Sequence, residues 1–167
     1  MEQPARQGSM VDRMIGAATL DVATYEAVEH DTTATTQAGL IIAMAAIAQG
    51  VASPYTGVIY GIISSLIGWF AMAGLVYFIG TRLFGGTATW GELLRTLGFA
   101  ASPGLLYILG LIPLLGVIVT IVVGIWVLVC VVVAIRQALD VSTGKAILTG
   151  LLGMIAWALI AAIIPGL

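Results

Sequence analysis

The sequence predicts an all-α protein: an integral membrane bundle of five helices, preceded by cytoplasmic amphipathic helices at the amino terminus. Two observations predict this fold class. First, 60% of the 167 residues are hydrophobic and only 8% are charged, which is far more apolar surface than one small soluble core can bury. Second, the eight acidic and six basic residues all lie in three short blocks, residues 1–31, 82–95 and 136–145.

The uncharged stretches between these blocks predict the five spans. They are 50 residues (32–81), 40 residues (96–135) and 22 residues (146–167) long. A helix that crosses the hydrocarbon core needs about 20 apolar residues, so the stretches fit a hairpin, a second hairpin and a single span. Pro54 and Pro113 mark the two hairpin turns. We expect an amino-terminal segment at 1–34 and a membrane domain at 35–167, with spans at about 35–52, 57–81, 96–112, 115–135 and 146–164.

The basic residues predict the orientation in the membrane. With five crossings, the amino terminus and both charged loops lie on one side. All the Lys and Arg residues then share that side: Arg6, Arg13, Arg82, Arg95, Arg136 and Lys145. Short loops that carry Lys and Arg stay in the cytoplasm. We therefore expect a cytoplasmic amino terminus and a carboxyl terminus outside, and residues 1–31 contain no signal-peptide pattern that would predict cleavage.

Two short helices are predicted in the amino-terminal segment. Met10, Met14 and Ala17 recur at helical spacing, which is typical of a helix that lies on the membrane surface. Asp21 suits the N-cap of a second helix over ATYEAVEH. Residues 1–31 contain six acids and two bases, and this negative charge argues against a polybasic clamp on lipid headgroups.

The loop after the first hairpin predicts a third short helix. Thr89 and Glu92 have the spacing of a capping box, so a helix should begin at Trp90. Its apolar side chains form one stripe, and Glu92 and Arg95 have the spacing of an i,i+3 ion pair on the opposite face. We expect this helix to lie at the cytoplasmic interface. The apolar stripe consists of Trp90, Leu93, Leu94 and Leu97.

Ser102 and Pro103 predict a kink or restart in the third crossing. Proline has no N–H to donate and biases the preceding residue away from helical angles, and Ser-Pro resembles a new N-cap followed by N1. From Pro103 to Ile112 an α-helix would cover only about 15 Å. The crossing should therefore include part of 93–102, and the alternative is a shallow wedge. The charge distribution favours the crossing.

The predicted spans lack the ionisable residues that ion transport requires. None contains Asp, Glu, Lys, Arg or His, whereas pumps and voltage sensors need such groups at membrane depth. We interpret His30 as an interfacial surface residue rather than a metal or pigment ligand. Cys130 is the single cysteine, so it has no partner for a disulfide or a metal site. We expect no enzyme, no catalytic residue, no cofactor and no metal.

Small residues four apart let membrane helices approach closely. Such spacing favours packing inside the bundle and leaves a dimer interface as the alternative. The predicted helix-packing positions are Gly57, Gly61, Ser65, Gly150 and Gly153. Three tryptophans fall near mid-span, where they either fill the bundle or line a lipid or pigment groove. They are Trp69, Trp126 and Trp157.

Four stretches of the sequence carry a family resemblance. They are FGGTATWGELLRTLGFAASPGLLYILGLIP, the IW pair at 125–126, VVAIRQALDVSTGKAI and RMIGAATLDVATYEAVEHD. Together they resemble the prokaryotic form of the Yip family, the Ypt/Rab-interacting membrane proteins. The resemblance implies five helices with a cytoplasmic amino terminus in a bacterial cytoplasmic membrane. Eukaryotic relatives act in vesicle traffic and bind small GTPases and one another. Their longer tail carries an Asp-Leu-Tyr-Gly-Pro type motif, which this sequence lacks.

The leading hypothesis is a non-enzymatic membrane adaptor or scaffold that recruits partners at the cytoplasmic face and shapes the membrane. Its partners would be membrane lipids, other membrane proteins or a second copy, and a cytoplasmic protein, but not nucleic acid. The alternatives are an accessory subunit of a larger membrane complex, for example an energy-transducing one, and a channel or transporter for neutral solutes. The predicted cytoplasmic contact residues are Thr89, Trp90, Glu92, Arg95, Arg136 and Lys145.

Overall fold

The protein is built from helices, as predicted. The computed structural model describes residues 8–52 and 57–163, apart from the side chain of Ala161, and the described residues contain no strand. The predicted turn at Pro54 lies outside the described residues. In chain order the helices are α1 (Met10–Ala18), α2 (Val22–His30), α3 (Ala34–Ala52), α4 (Val58–Phe84), α5 (Trp90–Ala100), a 3₁₀ helix (Ser102–Leu111), α6 (Gly116–Leu139) and α7 (Thr143–Ile163).

Five segments are long and apolar enough to cross a membrane. They are α3, α4, α5 together with the 3₁₀ helix, α6 and α7. The prediction of an all-α protein with five membrane spans is therefore confirmed at the level of length and composition. α4 and α6 continue three and four residues beyond the predicted ends, because each helix stops only at a residue with a left-handed backbone. These residues are Gly85, with φ of 71°, and Asp140, with φ of 53°.

The third crossing, α5 and the 3₁₀ helix, occupies the centre of the bundle. Of the 18-residue window that qualifies it as a span, 61% is buried, compared with at most 33% in the other four. α5 packs against α1, α2, α3, α4 and α6. α5 is therefore covered by other helices on several sides, and its position relative to the membrane interface stays a prediction. The residues of α5 from Leu93 onward are buried, including the polar Arg95 and Thr96, whereas Trp90 at its start is exposed.

The change from α5 to the 3₁₀ helix falls at Ser102 and Pro103. α5 ends at Ala100 and the 3₁₀ helix begins at Ser102, with Pro103 in its first turn. Ser102 does not cap the new helix, because its hydroxyl donates to the Phe99 carbonyl oxygen at 2.6 Å. A 3₁₀ helix rises about 2.0 Å per residue, so ten residues cover about 20 Å instead of 15 Å.

The amino-terminal helices pack into the bundle instead of lying across its surface. The indole Nε1 of Trp126 donates to the Ala18 carbonyl oxygen at 2.7 Å, and the buried Tyr25 hydroxyl lies 3.0 Å from the Ala17 carbonyl oxygen. Trp126 is about 20 Å along α6 from Leu139. The predicted surface-lying helix α1 is thus seated beside the middle of α6, because its last carbonyl groups find hydrogen-bond donors there.

Pro113 lies in the turn between the 3₁₀ helix and α6, as its position in the sequence predicts. The Leu115 N–H donates to the Ile112 carbonyl oxygen at 3.1 Å, and Leu114 has a φ of 72°. Proline at the second position and a positive φ at the third are the features of a type II turn. The Leu114 side chain is 96% exposed, so this turn projects from one end of the bundle.

Candidate functional site

The opposite end of the bundle gathers most of the charged residues of the described chain. We call it the charged end and define it as residues 26–33, 82–92 and 136–145. Its two loops are tied together, since the Thr87 N–H donates to the Leu139 carbonyl oxygen at 3.2 Å and the Thr87 hydroxyl lies 3.0 Å from Asp140 Oδ2. A Cβ at Gly86 would lie 2.7 Å from Cδ2 of Leu139. Glycine at this position therefore allows the loops to meet.

Further hydrogen bonds join the helices that end here. Gln137 Nε2 on α6 donates to Glu26 Oε1 on α2 at 2.9 Å. Lys145 Nζ, in the first turn of α7, donates to the Phe84 carbonyl oxygen at 3.1 Å, where a cation also favours the carbonyl end of α4. Arg136 is half-buried, and its Nε donates to Gln137 Oε1 at 3.0 Å. The charged end is thus one continuous surface built from α2 and two loops.

Thr89 and Glu92 form the predicted capping box at the start of α5. The Thr89 N–H donates to Glu92 Oε2 at 2.7 Å, and the Glu92 N–H donates to the Thr89 hydroxyl at 3.3 Å. Trp90 is 46% exposed and lies edge-on to Phe70, with the ring centroids 6.0 Å apart. An exposed tryptophan beside a span is typical of the membrane interface.

Arg95 differs from the prediction. It is 7% exposed, and its guanidinium donates to the carbonyl oxygens of Val28, at 3.2 Å from Nε, and of Glu29, at 2.9 Å from Nε. Its Nη2 makes a second, shorter contact with the Glu29 carbonyl oxygen. The predicted ion pair with Glu92 on an exposed face is therefore wrong. Arg95 instead satisfies the last carbonyl groups of α2, which a helix terminus leaves without partners.

Three potential metal ligands lie together at the end of α2. One ligand atom each from Glu26, Glu29 and His30 lies within 4.8 Å of the other two. Burial, and then the charge of Glu26, raise the pKa of Glu29 to about 7. A hydrogen bond from His30 Nδ1 to the Glu26 carbonyl oxygen raises the pKa of His30. Hydrogen bonds from Thr33 and Arg13 hold the pKa of Asp31 below its usual value.

A groove of about 500 Å³ lies among the spans. Two of the three mid-span tryptophans, Trp69 and Trp157, line it together with Tyr107 and mostly apolar side chains. Trp69 is 7% exposed and donates from Nε1 to the Leu94 carbonyl oxygen at 2.9 Å. Trp126 is not part of this lining and bonds α1. The three tryptophans thus have different surroundings. The indole N–H of Trp69 bonds α5, and that of Trp126 bonds α1.

The predicted packing positions contact different neighbours. A Cβ at Gly61 would lie 3.8 Å from the Ala46 carbonyl oxygen, one at Gly150 would lie 3.3 Å from Ile135, and one at Gly153 would lie 3.1 Å from Met72. Ser65 lines the groove. Gly57 is the N-cap of α4, and no described atom lies within 4 Å of its would-be Cβ.

Sequence reasoning missed two features of this protein. Gly98 of α5 lies against Ala38 of α3, where a Cβ would lie 2.9 Å from Cα of Ala38. Its spacing of four from Ser102 is the signal that could have found it. The segment EAVEH places Glu26, Glu29 and His30 at helical i, i+3 and i+4 spacing. We interpreted the acids as a solvated face and His30 as an isolated surface residue.

The comparison with protein families decides the classification. A family model for the Yip1 domain matches residues 31–164. The chain belongs to the Yip1 domain family. No curated protein and no solved structure matches it. The Yip1 domain match begins after α2, so it includes all five apolar helices and both loops of the charged end, whereas α1 and α2 precede it. This is an integral membrane protein of the Yip type.

Proposed function

We propose that this Yip1-domain protein is a non-enzymatic adaptor that binds a partner at the charged end, on the cytoplasmic side of a bacterial membrane. The observation that supports it most is the construction of the charged end. Hydrogen bonds from Thr87, Gln137 and Lys145 join the 85–89 loop to the 140–142 loop, α6 to α2, and the start of α7 to the end of α4. Separate segments are thereby held in one surface, as a binding face requires.

The proposal assigns different roles to five of the six predicted contact residues. Arg95 is buried, and Thr89 and Glu92 cap α5, so all three would support the surface rather than touch a partner. Trp90 packs beside Phe70 and would face lipid headgroups. Exposed residues of the charged end, including Arg82 and Lys145, would contact the partner directly.

The experiment that tests the adaptor is capture of the full chain from its native membrane in mild detergent, followed by mass spectrometry of what co-purifies in fixed stoichiometry. The variant combines Arg82→Glu with Lys145→Glu, because both side chains are exposed and reversal of their charge should repel an acidic partner surface. Leu114→Glu is the control, since it adds an acid at the opposite, exposed turn.

We expect the double variant to lose the co-purifying protein and Leu114→Glu to keep it. Equal capture by the double variant and the native chain would contradict the adaptor. A large assembly that survives both changes, held together through the spans, would support the accessory-subunit alternative. Solute flux in proteoliposomes would be the result that favours a channel or transporter.

A further inference from the structure

The last turn of α2 carries three side chains that are able to bind a metal ion. Glu26, Glu29 and His30 project from the same side of the helix, because residues three and four apart are neighbours on a helix surface. Their ligand atoms already lie within 4.8 Å of one another. Atoms that bind one tetrahedral Zn²⁺ at about 2.0–2.2 Å lie roughly 3.5 Å from one another, so the exposed side chains of Glu26 and His30 would rotate toward the buried Glu29.

One carboxylate oxygen of Glu29 is buried without a described hydrogen-bond donor. Glu29 is 7% exposed, and its Oε2 is buried without a hydrogen bond from any described residue. The neighbouring cation, Arg95, donates to the backbone carbonyl oxygen of Glu29 instead. Burying a carboxylate oxygen that accepts no hydrogen bond is costly. A bound cation would offset this cost, and the buried oxygen is an observation independent of the clustering.

The surroundings of the other two ligands resemble the outer shell of a metal site. His30 Nδ1 lies 2.9 Å from the Glu26 carbonyl oxygen, which can only accept, so in the neutral ring Nδ1 carries the proton and Nε2 is the nitrogen left to bind a metal. Metal-binding histidines usually donate their other ring N–H in this way, and ligating carboxylates are themselves hydrogen-bonded. Gln137 Nε2 donates to Glu26 Oε1 at 2.9 Å. Both ligands are therefore oriented by neighbours.

We propose that Glu26, Glu29 and His30 bind one divalent transition-metal ion of the Zn²⁺ type at the end of α2. An imidazole with two carboxylates suits Zn²⁺ and its neighbours in the transition series, whereas Mg²⁺ and Ca²⁺ prefer oxygen ligands throughout. Three protein ligands leave one tetrahedral position for water or for a group from another molecule. The site stands whether or not the protein is an adaptor.

The test uses the full chain, purified in mild detergent with any affinity tag removed and stripped of metal by a chelator. Co²⁺ is the probe, because it substitutes for Zn²⁺ and its visible absorption reports coordination. His30 is the single histidine of the sequence, so imidazole ligation has one source. We expect one Co²⁺ per chain, displaced by Zn²⁺, and a thermal unfolding midpoint that Zn²⁺ raises, as binding to the folded state requires.

Three variants locate the site. His30→Ala and Glu29→Gln should each weaken Co²⁺ binding by about tenfold or more, the size of effect seen even when outer-shell groups are removed. Asp12→Asn is the control, since it makes the same change of charge as Glu29→Gln in α1, and it should bind Co²⁺ like the native chain. Circular dichroism checks that every variant is folded. No Co²⁺ uptake by the native chain, or equal uptake by all variants, would overturn the proposal.

Discussion

Arg95 differs more than any other predicted site residue from the role that its spacing suggested. A helical wheel places it opposite three leucines and therefore in water. The wheel assumes that a helix has one buried face, but α5 is packed between other helices, so its polar face is buried as well. The carbonyl oxygens of Val28 and Glu29 accept the hydrogen bonds of Arg95 there. Its long side chain thus connects the third crossing to α2.

Replacing Arg95 with Ala should destabilise the protein by about 2–3 kcal/mol, because hydrogen bonds from a charged group are lost and two carbonyl groups are left without their donor. Arg95→Lys should recover only part of this loss, since an ammonium group does not reproduce the planar fork of a guanidinium. Thermal unfolding in detergent measures the difference. Arg82→Ala, at an exposed position, is the control and should change stability by no more than about 0.5 kcal/mol. Equal stability of Arg95→Ala and the native chain would contradict the assigned role.

At the scale of helices, local signals in the sequence placed the starts of α2 and α5. The capping box of Thr89 and Glu92 and the N-cap of Asp21 depend on residues two or three positions apart, and both are present in the structure. What the sequence did not reveal depends on distant residues. Ala38 approaches Gly98, and Trp126 bonds Ala18, across separations that no local pattern records.

Loss of the cap at Thr89 should be measurable. Thr89→Ala removes the hydroxyl that accepts the Glu92 N–H and should lower the free energy of unfolding by about 1 kcal/mol. Thr89→Ser keeps the hydroxyl and should stay close to the native value. Chemical denaturation of the detergent-solubilised chain compares the two. If Ala and Ser behave alike, the cap contributes nothing to stability.

The contact between α5 and α3 predicts a contrast between two glycines. Gly98→Ala places a methyl group 2.9 Å from Cα of Ala38, and relieving this clash should cost about 1–3 kcal/mol. Gly144→Ala lies in the first turn of α7, where no described atom is within 4 Å, and should be neutral or stabilising by up to about 1 kcal/mol. Thermal unfolding midpoints should therefore shift in opposite directions or by clearly different amounts. A larger loss for Gly144→Ala would contradict the packing described for Gly98.

At the scale of the whole molecule, the number of spans was the most accessible property of the sequence. It follows from composition summed over stretches of 20 residues or more, so an error at any one residue changes little. The interior arrangement is different in kind, because burial of the third crossing depends on how five helices assemble. Hydropathy measures the preference for an apolar environment, and it does not distinguish lipid from protein.

The orientation deduced from the basic residues predicts a labelling pattern. In a Cys130→Ser background, Leu114→Cys and Ser142→Cys place single thiols at opposite, exposed ends of the bundle. A membrane-impermeant maleimide should label Leu114→Cys in intact cells and Ser142→Cys only after the membrane is opened, because loops with Lys and Arg remain inside. The background chain alone should stay unlabelled. Labelling of Ser142→Cys in intact cells would reverse the orientation.

The 3₁₀ helix after Pro103 has a consequence for the fit between this protein and its bilayer. Ten residues extend about 20 Å as a 3₁₀ helix and about 15 Å as an α-helix, and biological membranes differ in hydrocarbon thickness by a few ångströms. Membrane helices often accommodate such hydrophobic mismatch by tilting. The third crossing is packed between other helices, which leave it little room to tilt. The 3₁₀ form of Ser102–Leu111 therefore lets the third crossing cover about 5 Å more of the bilayer than an α-helix of the same ten residues would.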